Sequence, residues 1–293
     1  MARGTGFTVL VGTDGSPSAR AAIAAAAMFP WPRNARVHAV VARQDVGAGA
    51  PRKRSGLTNQ PDERIVTRAR RALARRWPNA EVTLVDKPPA EAILDATRRL
   101  GAVAVCVGWR GHGGFRRLLM GSVSREVVRH AACPVLVVRR RPRHLRAFLV
   151  GVDGSLNARR AVAFLSRLHP PTGGRTTIVR VEEPVGLPSA GLLPGGIRGA
   201  LRREVAALNA ERIAKAERDV KKAASQLRRA GWRVRMSVRS GEPLTELLAT
   251  VAETKAHVLV VGARGAGGLS RVLLGSVAEG SLNHSPVPVV VVK

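Results

Sequence analysis

The sequence contains no tyrosine, only two cysteines and few aromatic side chains, which make up 3% of its 293 residues. It therefore lacks the stacking signature of an RNA-binding module. Cys106 and Cys133 stand in or beside apolar runs, and the seven histidines show no ligand spacing, so we expect neither a disulfide nor a metal site. No apolar run is long enough to span a bilayer, and the N-terminus shows no apolar signal segment. The sequence thus predicts a cytoplasmic protein without membrane insertion.

Acidic residues are also scarce, with 20 Asp and Glu against 49 Lys and Arg and a formal net charge of +29. The excess is spread evenly, because residues 1–141 carry 25 basic and 9 acidic residues, and residues 142–293 carry 24 and 11. No basic tail is present. We interpret the charge as a solvated arginine-rich surface, and binding of nucleic acid through that surface as the weaker alternative.

Glycine is concentrated in a motif that occurs twice. Gly108-Trp-Arg-Gly111 is followed after nine residues by Gly121-Ser122-Val123, and Gly262-Ala-Arg-Gly265 after nine residues by Gly275-Ser276-Val277. Each copy follows a β-branched run typical of a buried parallel strand and precedes a helical pattern. Glycine lets backbone amides approach a ligand and a helix start attracts anions, so the motif predicts phosphate binding. A tight turn with a serine N-cap is the alternative interpretation.

Strand and helix patterns alternate as β-α-β-α-β-α-β-α-β, and the whole pattern occurs twice. The first strand of each copy ends in Asp-Gly-Ser, at Asp14 and at Asp153. This alternation predicts an α/β protein of two doubly wound domains, residues 1–141 and 142–293, each with a five-stranded parallel sheet. The longest helical pattern runs from about Leu201 to Arg229.

The last strand pattern of each copy is apolar on both faces. These patterns are Val135 to Val138 and Val287 to Val292, and each would close its sheet as an exposed edge. An apolar edge invites uncontrolled pairing unless it is covered, and two like edges can cover each other. We therefore expect the two domains to pack about a pseudo-twofold axis with these strands adjacent and antiparallel.

The strand followed by Asp-Gly-Ser, the G-x-x-G motif with Gly-Ser nine residues later, and the valine-rich closing strand resemble the universal stress protein family in its tandem-domain form. The resemblance covers almost the whole chain and implies a Rossmann-like fold, like that of adenine nucleotide alpha hydrolases, which binds ATP with or without Mg. It implies that Asp14 and Asp153 line the adenine side, and that Val40 (or Val41) and Val181 contact adenine. It also implies that ribose and phosphates are held by Gly108, Arg110, Gly111, Gly121, Ser122 and Val123, and by Gly262, Arg264, Gly265, Gly275, Ser276 and Val277.

Hydrolysis of ATP needs a group that orients water and groups that stabilise charge on the transferred phosphoryl. Neither glycine motif contains a carboxylate, Glu126 is matched by Gly280 in the second copy, and no Walker-type Gly-Lys-Ser/Thr occurs. We therefore predict a nucleotide-gated stress-response protein with at most slow ATP hydrolysis. The alternative is an ATP-hydrolysing or nucleotide-transferring enzyme on the same fold.

Other side chains in the glycine motifs admit two interpretations. Trp109 would shield the ribose or alter the pocket mouth. Five arginines would either anchor the phosphates or be solvated, namely Arg110, Arg116, Arg117, Arg264 and Arg271. The partners expected are ATP and, within the chain, the other domain, with a homodimer of chains left open.

Overall fold

The computed structural model describes residues 6–42, 60–111, 120–186, 195–265 and 273–293. Here the predicted alternation of strands and helices is confirmed. The first unit contains β1 (Thr8–Gly12), α1 (Pro17–Met28), β2 (Arg36–Ala42), α2 (Gln60–Ala74), β3 (Glu81–Val85), α3 (Pro89–Arg99), β4 (Ala104–Gly108), α4 (Ser122–His130) and β5 (Val135–Val138). The second unit contains β6 (Ala147–Gly151), α5 (Leu156–Ser166), β7 (Arg175–Glu182), α6 (Gly195–Arg229), β8 (Val234–Ser240), α7 (Pro243–Glu253), β9 (Val258–Gly262), α8 (Ser276–His284) and β10 (Val289–Val292).

The strands form one ten-stranded sheet in the order β3-β2-β1-β4-β5-β10-β9-β6-β7-β8. Each unit contributes five parallel strands, as predicted, but the two sheets merge into one. The join is between β5 and β10, which pair antiparallel with Val137 opposite Val289 and Val135 opposite Val291. The expected antiparallel pairing of the closing strands is therefore confirmed.

Helices cover both faces of the sheet because the strands are apolar on both sides. Residues of α1, α2, α5 and α6 pack in one core layer, which includes Phe29, Leu73 and Leu227. Residues of α3, α4, α7 and α8 pack in the other, which includes Ile93 and Leu282. Alternate residues of each strand enter opposite layers, so the two layers share the sheet as their common wall.

Helix α6 begins earlier than its sequence pattern suggests. It starts at Gly195 rather than near Leu201 and is 35 residues long. Its core-facing residues, among them Ala216, Val220 and Leu227, lie in its second half, so the first half extends past the buried layer. In the described part of the chain no helix combines the length and apolarity needed to cross a membrane.

Candidate functional site

The predicted ligand site lies where the strand order reverses. In the first unit β1 pairs with β2 on one side and with β4 on the other. The helices that follow β1 and β4 therefore leave the sheet on opposite faces, and a crevice opens between them at the carboxyl ends of the strands. The second unit repeats the arrangement, with β6 between β7 and β9. The Asp-Gly-Ser turn and the glycine motif meet at this crevice in both units.

The glycine that ends β4 or β9 touches the first turn of the helix opposite. A Cβ at Gly108 would lie 2.6 Å from Ser18 Oγ and 2.7 Å from the nitrogen of Ala19 in α1. A Cβ at Gly262 would lie 3.0 Å from the nitrogen of Ala158 in α5. Only a residue without a side chain lets the strand end approach the helix N-terminus this closely.

The aspartates of the Asp-Gly-Ser turns lie against the glycine motifs. Oδ1 of Asp14 accepts a hydrogen bond from the backbone N–H of Ser16 at 2.9 Å, which closes the turn. Its Oδ2 faces the motif, since a Cβ at Gly111 would lie 2.5 Å from it. In the second unit a Cβ at Gly265 would lie 2.8 Å from Oδ2 of Asp153. Although neither motif contains a carboxylate, the fold thus brings one to each.

Polar side chains at the start of α1 and α5 hold the backbone of the motif. The carbonyl of Arg110 accepts hydrogen bonds from the hydroxyls of Ser18 and, at 3.3 Å, Ser16. The carbonyl of Arg264 accepts a bond from Nδ2 of Asn157 at 3.4 Å. These contacts fix the direction of the neighbouring amides before any ligand binds.

Helices α4 and α8 begin with glycine N-caps, Gly121 and Gly275. Ser122 and Ser276 are the first helical residues and are exposed, so the alternative of a serine N-cap is wrong. The N–H of Gly121 donates to the carbonyl of Trp109 at 3.0 Å, which brings the two described ends of the motif together. Because glycine has no capping side chain, the N–H groups of the first helical turn can face a ligand.

The second unit has a cleft of about 170 Å³ at this position. Six of the eight second-unit residues predicted for the site line it, while Gly275 and Ser276 begin the adjoining helix. The lining consists of the predicted Asp153, Val181, Gly262, Arg264, Gly265 and Val277, together with Gly151, Val152, Val179, Pro243, Leu247 and Val261.

The valines predicted to contact adenine are not equivalent in the two units. Strand register makes Val179 the counterpart of Val40, and Val181 lies two residues further along its strand. Residues two apart share a face of a strand, and both Val179 and Val181 line the cleft. Of the two alternatives in the first unit, Val40 is the residue on the cleft-facing side and Val41 points to the opposite layer.

Trp109 packs in the seam between the two units. Its indole Nε1–H donates to the carbonyl of Leu282 in α8 at 2.8 Å, and the guanidinium of Arg139 lies 4.0 Å from its ring centre. Only 6% of the residue is exposed. The side chain therefore joins the first loop to the second unit instead of covering a ribose or a pocket mouth. In the second unit Ala263 occupies the matching position.

Sequence reasoning missed the residues that support the loop from other elements. These are Ser18, Asn157, Pro243 and Leu247, which lie far from the glycine motifs in sequence. The only available signal was the polar residue two positions after each Asp-Gly-Ser serine. Of the arginines expected near the phosphates, Arg116, Arg117 and Arg271 lie outside the described residues.

Comparison with known proteins gives the same assignment in both halves. The family model of the Universal stress protein family matches residues 7–139 and again residues 144–293. The chain belongs to the universal stress protein family. The boundary expected between residues 141 and 142 stays a prediction.

Relatives of this tandem universal stress protein include proteins that match it over almost the whole length of both chains. The universal stress protein Rv2005c of Mycobacterium tuberculosis is 30% identical, and the match covers 97% of this chain and 96% of that protein. A universal stress protein of Thermus aquaticus is 34% identical over 45% of this chain and 98% of its own length. A crystal structure of a universal stress protein from Archaeoglobus fulgidus superposes with a TM-score of 0.67 at 21% identity and covers 99% of both chains. The last similarity supports the fold.

Proposed function

We propose that this universal stress protein binds ATP at two sites, one in each unit, and uses nucleotide occupancy to change its own assembly or partner surface in a stress response. The observation that carries the proposal is the convergence, in each unit, of two helix N-termini and a glycine loop at the strand-order reversal. The cytoplasmic location expected from the sequence stays a prediction.

The phosphate end of the proposed site is the start of α4 or α8. The first turn of a helix presents unpaired N–H groups and the positive end of the helix dipole, which together favour an anion. In the first unit α1 also directs its first turn at Gly108, so two positive helix ends point to one place. Gly121 and Gly275 keep this place clear of side chains.

The base end of the proposed site is apolar. Val179, Val181, Leu247 and Val261 form one wall of the second-unit cleft, which suits the flat face of adenine. The cleft of about 170 Å³ is smaller than the roughly 300–1,000 Å³ of pockets that enclose a whole drug-sized ligand. A nucleotide would therefore occupy it in part and extend along the glycine loop.

Magnesium would enter this site together with ATP. Mg²⁺ is commonly held by one or two carboxylates and the phosphates of the substrate, not by a cage of protein ligands. One carboxylate, Asp14 or Asp153, lies against each loop, while the described residues hold no cluster of three metal-ligating side chains. The residues present fit a cation that arrives with the nucleotide.

The residues of the two sites also favour slow hydrolysis of ATP. In the described parts of both sites the aspartate of the Asp-Gly-Ser turn is the one carboxylate that lies against the glycine loop, and it also closes its own turn. Glu126 is exposed, and its counterpart in the second unit is Gly280, which has no side chain, so the second site has no carboxylate at that position. At this pair of equivalent positions the two sites therefore lack a shared base that could orient water for the hydrolysis of ATP.

Calorimetric titration of the full chain with ATP tests the proposal, with an expected stoichiometry of two nucleotides per chain. Gly121→Val and Gly275→Val should each remove one site, because a Cβ at either glycine would lie 3.3 Å from the Cα of the arginine in the facing loop. Gly199→Val is the matched control, since nothing lies within 4 Å of a Cβ at that position.

Thermal unfolding of each variant checks that it is folded before binding is compared. A stoichiometry of zero in the folded wild-type protein would contradict the proposal, and a stoichiometry of one would restrict it to a single unit. Rapid release of phosphate from ATP would favour the enzyme alternative instead.

A further inference from the structure

A second cleft lies at the amino ends of the strands, whereas the glycine loops lie at their carboxyl ends. It has a volume of about 230 Å³ and is lined by Arg175, Thr177, Arg235, Glu253, Thr254 and Lys255. Arg175 and Arg235 stand at the amino ends of β7 and β8, and Lys255 follows the C-terminus of α7. The family motifs contribute no residue to it, so the cleft is separate from the proposed nucleotide sites.

Positive charge in this cleft is not neutralised by its own lining. Glu253 is the one lining carboxylate, and it is bound by Arg239 at 2.9 Å. Arg175 donates to the carbonyl of Thr254 at 3.2 Å and so provides a hydrogen-bond partner for a carbonyl at the C-terminal end of α7. In the described part of the chain neither Arg235 nor Lys255 makes an ion pair. Two cations therefore face the cleft without an acidic partner.

The first unit provides an internal comparison. Strand register places Glu81 where the second unit has Arg235, and His38 where it has Thr177. Glu81 lies 3.2 Å from Nδ1 of His38, and Arg99 also acts on that ring, so the first unit places a carboxylate and a guanidinium around this position. The second unit replaces that carboxylate with a guanidinium. The dipole of α7 accounts for a cation at its C-terminus, but it does not account for a charge reversal on the neighbouring strand.

The backbone of Lys255 is a second difference between the units. Its φ is +48°, in the left-handed region, whereas its counterpart Gly101 has φ +58°. The position after a helix C-terminus usually carries glycine, and a side chain there costs roughly 1 kcal/mol. In the second unit Lys255 has this strained backbone, and its side chain places an ammonium group at the mouth of the cleft.

The electrostatic field is also positive around the cleft, at the amino ends of the neighbouring strands. Burial lowers the pKa of His257, and the neighbouring His144, Arg175 and Arg146 lower it further. The rings of His144 and His257 are 4.4 Å apart. An anion in the cleft would therefore lie among several basic groups.

We propose that this cleft, formed by Arg175, Thr177, Arg235 and Lys255, is a binding site for a small phosphate-bearing anion and occurs in the second unit alone. A guanidinium and an ammonium suit the charge of a phosphate, and the Thr177 hydroxyl adds a neutral donor. The volume is below the roughly 300–1,000 Å³ of pockets for larger ligands, which favours a small anion.

Amide NMR of the full chain tests this site residue by residue. Inorganic phosphate, titrated at constant ionic strength, should shift the amides of Thr177 and Lys255 in a saturable way. AMP in a separate titration distinguishes a free phosphate from the phosphate of a nucleotide. Shifts at Gly262 and Gly275 report the proposed ATP site independently, so failure of one site does not hide the other.

Each of two variants replaces a residue of the cleft with the residue type found at the equivalent position of the first unit. Arg235→Glu should weaken phosphate binding about tenfold or more, because it reverses one charge near the anion. Lys255→Gly should also weaken binding while it keeps or raises the melting temperature, since it relieves the left-handed backbone. Arg64→Glu, on the exposed surface of α2, controls for the change in net charge.

The proposal is wrong if neither phosphate nor AMP produces saturable shifts at Thr177 and Lys255. It is also wrong if Arg235→Glu weakens binding no more than Arg64→Glu does, because the effect would then reflect net charge alone.

Discussion

The fold lowers the pKa of two histidines, His38 and His257, and so favours their neutral form. Burial is the main cause of the lowered pKa of His38, although Glu81 opposes it. His257 is lowered by burial and by the basic groups around it. Its Nδ1 accepts hydrogen bonds from the backbone N–H groups of Arg146 and Ala147, both at 3.1 Å. Protonation at Nδ1 would break both bonds, so neutrality is part of how this ring supports the start of β6.

We expect the free energy of unfolding to decrease as the pH falls below 6.5, the ordinary pKa of histidine. In that range the unfolded chain takes up protons that the folded His257 does not, so acid favours the unfolded state. His257→Asn should make this decrease shallower, because the Asn side-chain oxygen can accept the same backbone bonds without titrating. Chemical denaturation at a series of pH values measures the effect.

His130→Asn, the same substitution at an exposed position, is the matched control. A His257→Asn profile as steep as that of the wild type would show that this ring does not contribute. Some slope should remain in either case because of His38.

At the scale of elements, α6 is attached to β7 by a buried ionic cluster. Nε of Arg180 donates to Oε1 of Glu182 at 2.6 Å, another of its nitrogens binds Asp219, and Arg212 lies 3.2 Å from Oε2 of Glu182. Arg180 and Asp219 both approach Gly154 of the Asp-Gly-Ser turn. The cluster therefore joins the helix, the strand and the turn of the proposed second ATP site.

The first unit makes the same junction with apolar side chains. The counterparts of Arg180 and Asp219 are Val41 and Ile65, and Ile65 Cγ1 would lie 2.9 Å from a Cβ at Gly15. Burial of ions costs desolvation energy that their attraction must offset, whereas an apolar contact has no such cost. The equivalent helix, strand and turn are thus joined by ionic contacts in the second unit and by apolar contacts in the first.

A double-mutant cycle should reveal strong coupling between Arg180 and Asp219. Arg180→Val alone should destabilise by about 3 kcal/mol, because it leaves Glu182 buried with fewer partners. Asp219→Ile alone should cost about 1–3 kcal/mol. The double variant, which recreates the first-unit pair, should cost at least about 1 kcal/mol less than the sum. Chemical denaturation of the four proteins measures this, and additivity within about 0.5 kcal/mol would contradict it.

For the whole molecule, the seam between the units is held on the sheet and on both of its faces. On one face Phe29 and Phe148 from different units pack edge to face at 5.8 Å, so the few aromatic residues are concentrated here. At the edge of the seam the contacts are reciprocal. Arg139 donates to the carbonyl of Asn283 at 3.3 Å, and Lys293 donates to the carbonyl of Arg129. Each cation meets the negative C-terminal end of the other unit's helix.

Val137→Asp should disrupt the packing of the two units. Val137 is 3% exposed and lies opposite Val289 in the antiparallel pair, so the variant would bury a carboxylate without a partner. We expect a loss of roughly 3–5 kcal/mol in stability. Differential scanning calorimetry gives the melting temperature, and small-angle scattering gives the arrangement of the units.

Leu156→Asp is the matched control, because Leu156 is 53% exposed and should accept the same change with little effect. If Val137→Asp left the melting temperature and the scattering profile like those of the control, the paired-edge seam would not be a source of stability.

The sequence by itself determined the features that depend on local pattern. Apolar runs and helical periodicity predicted the order of strands and helices, glycine and serine spacing marked the two loops, and two apolar edges predicted the antiparallel seam. Each of these is read from residues within one element, or from the general need to bury an apolar edge. The start of α6 was missed because its Gly195-Gly-Ile-Arg-Gly199 segment has the composition of a loop.

Only the tertiary structure decided which distant residues meet. The direction of Trp109, the equivalence of Val40 with Val179, and the pairing of Arg235 with Lys255 in one cleft all depend on strand register and on which face each side chain takes. A shift of one residue would reverse every face, and no local pattern specifies that alignment between strands far apart in the chain. Glu81 and Arg235 are both visible in the sequence, but only the strand register shows that they occupy equivalent positions in the two units.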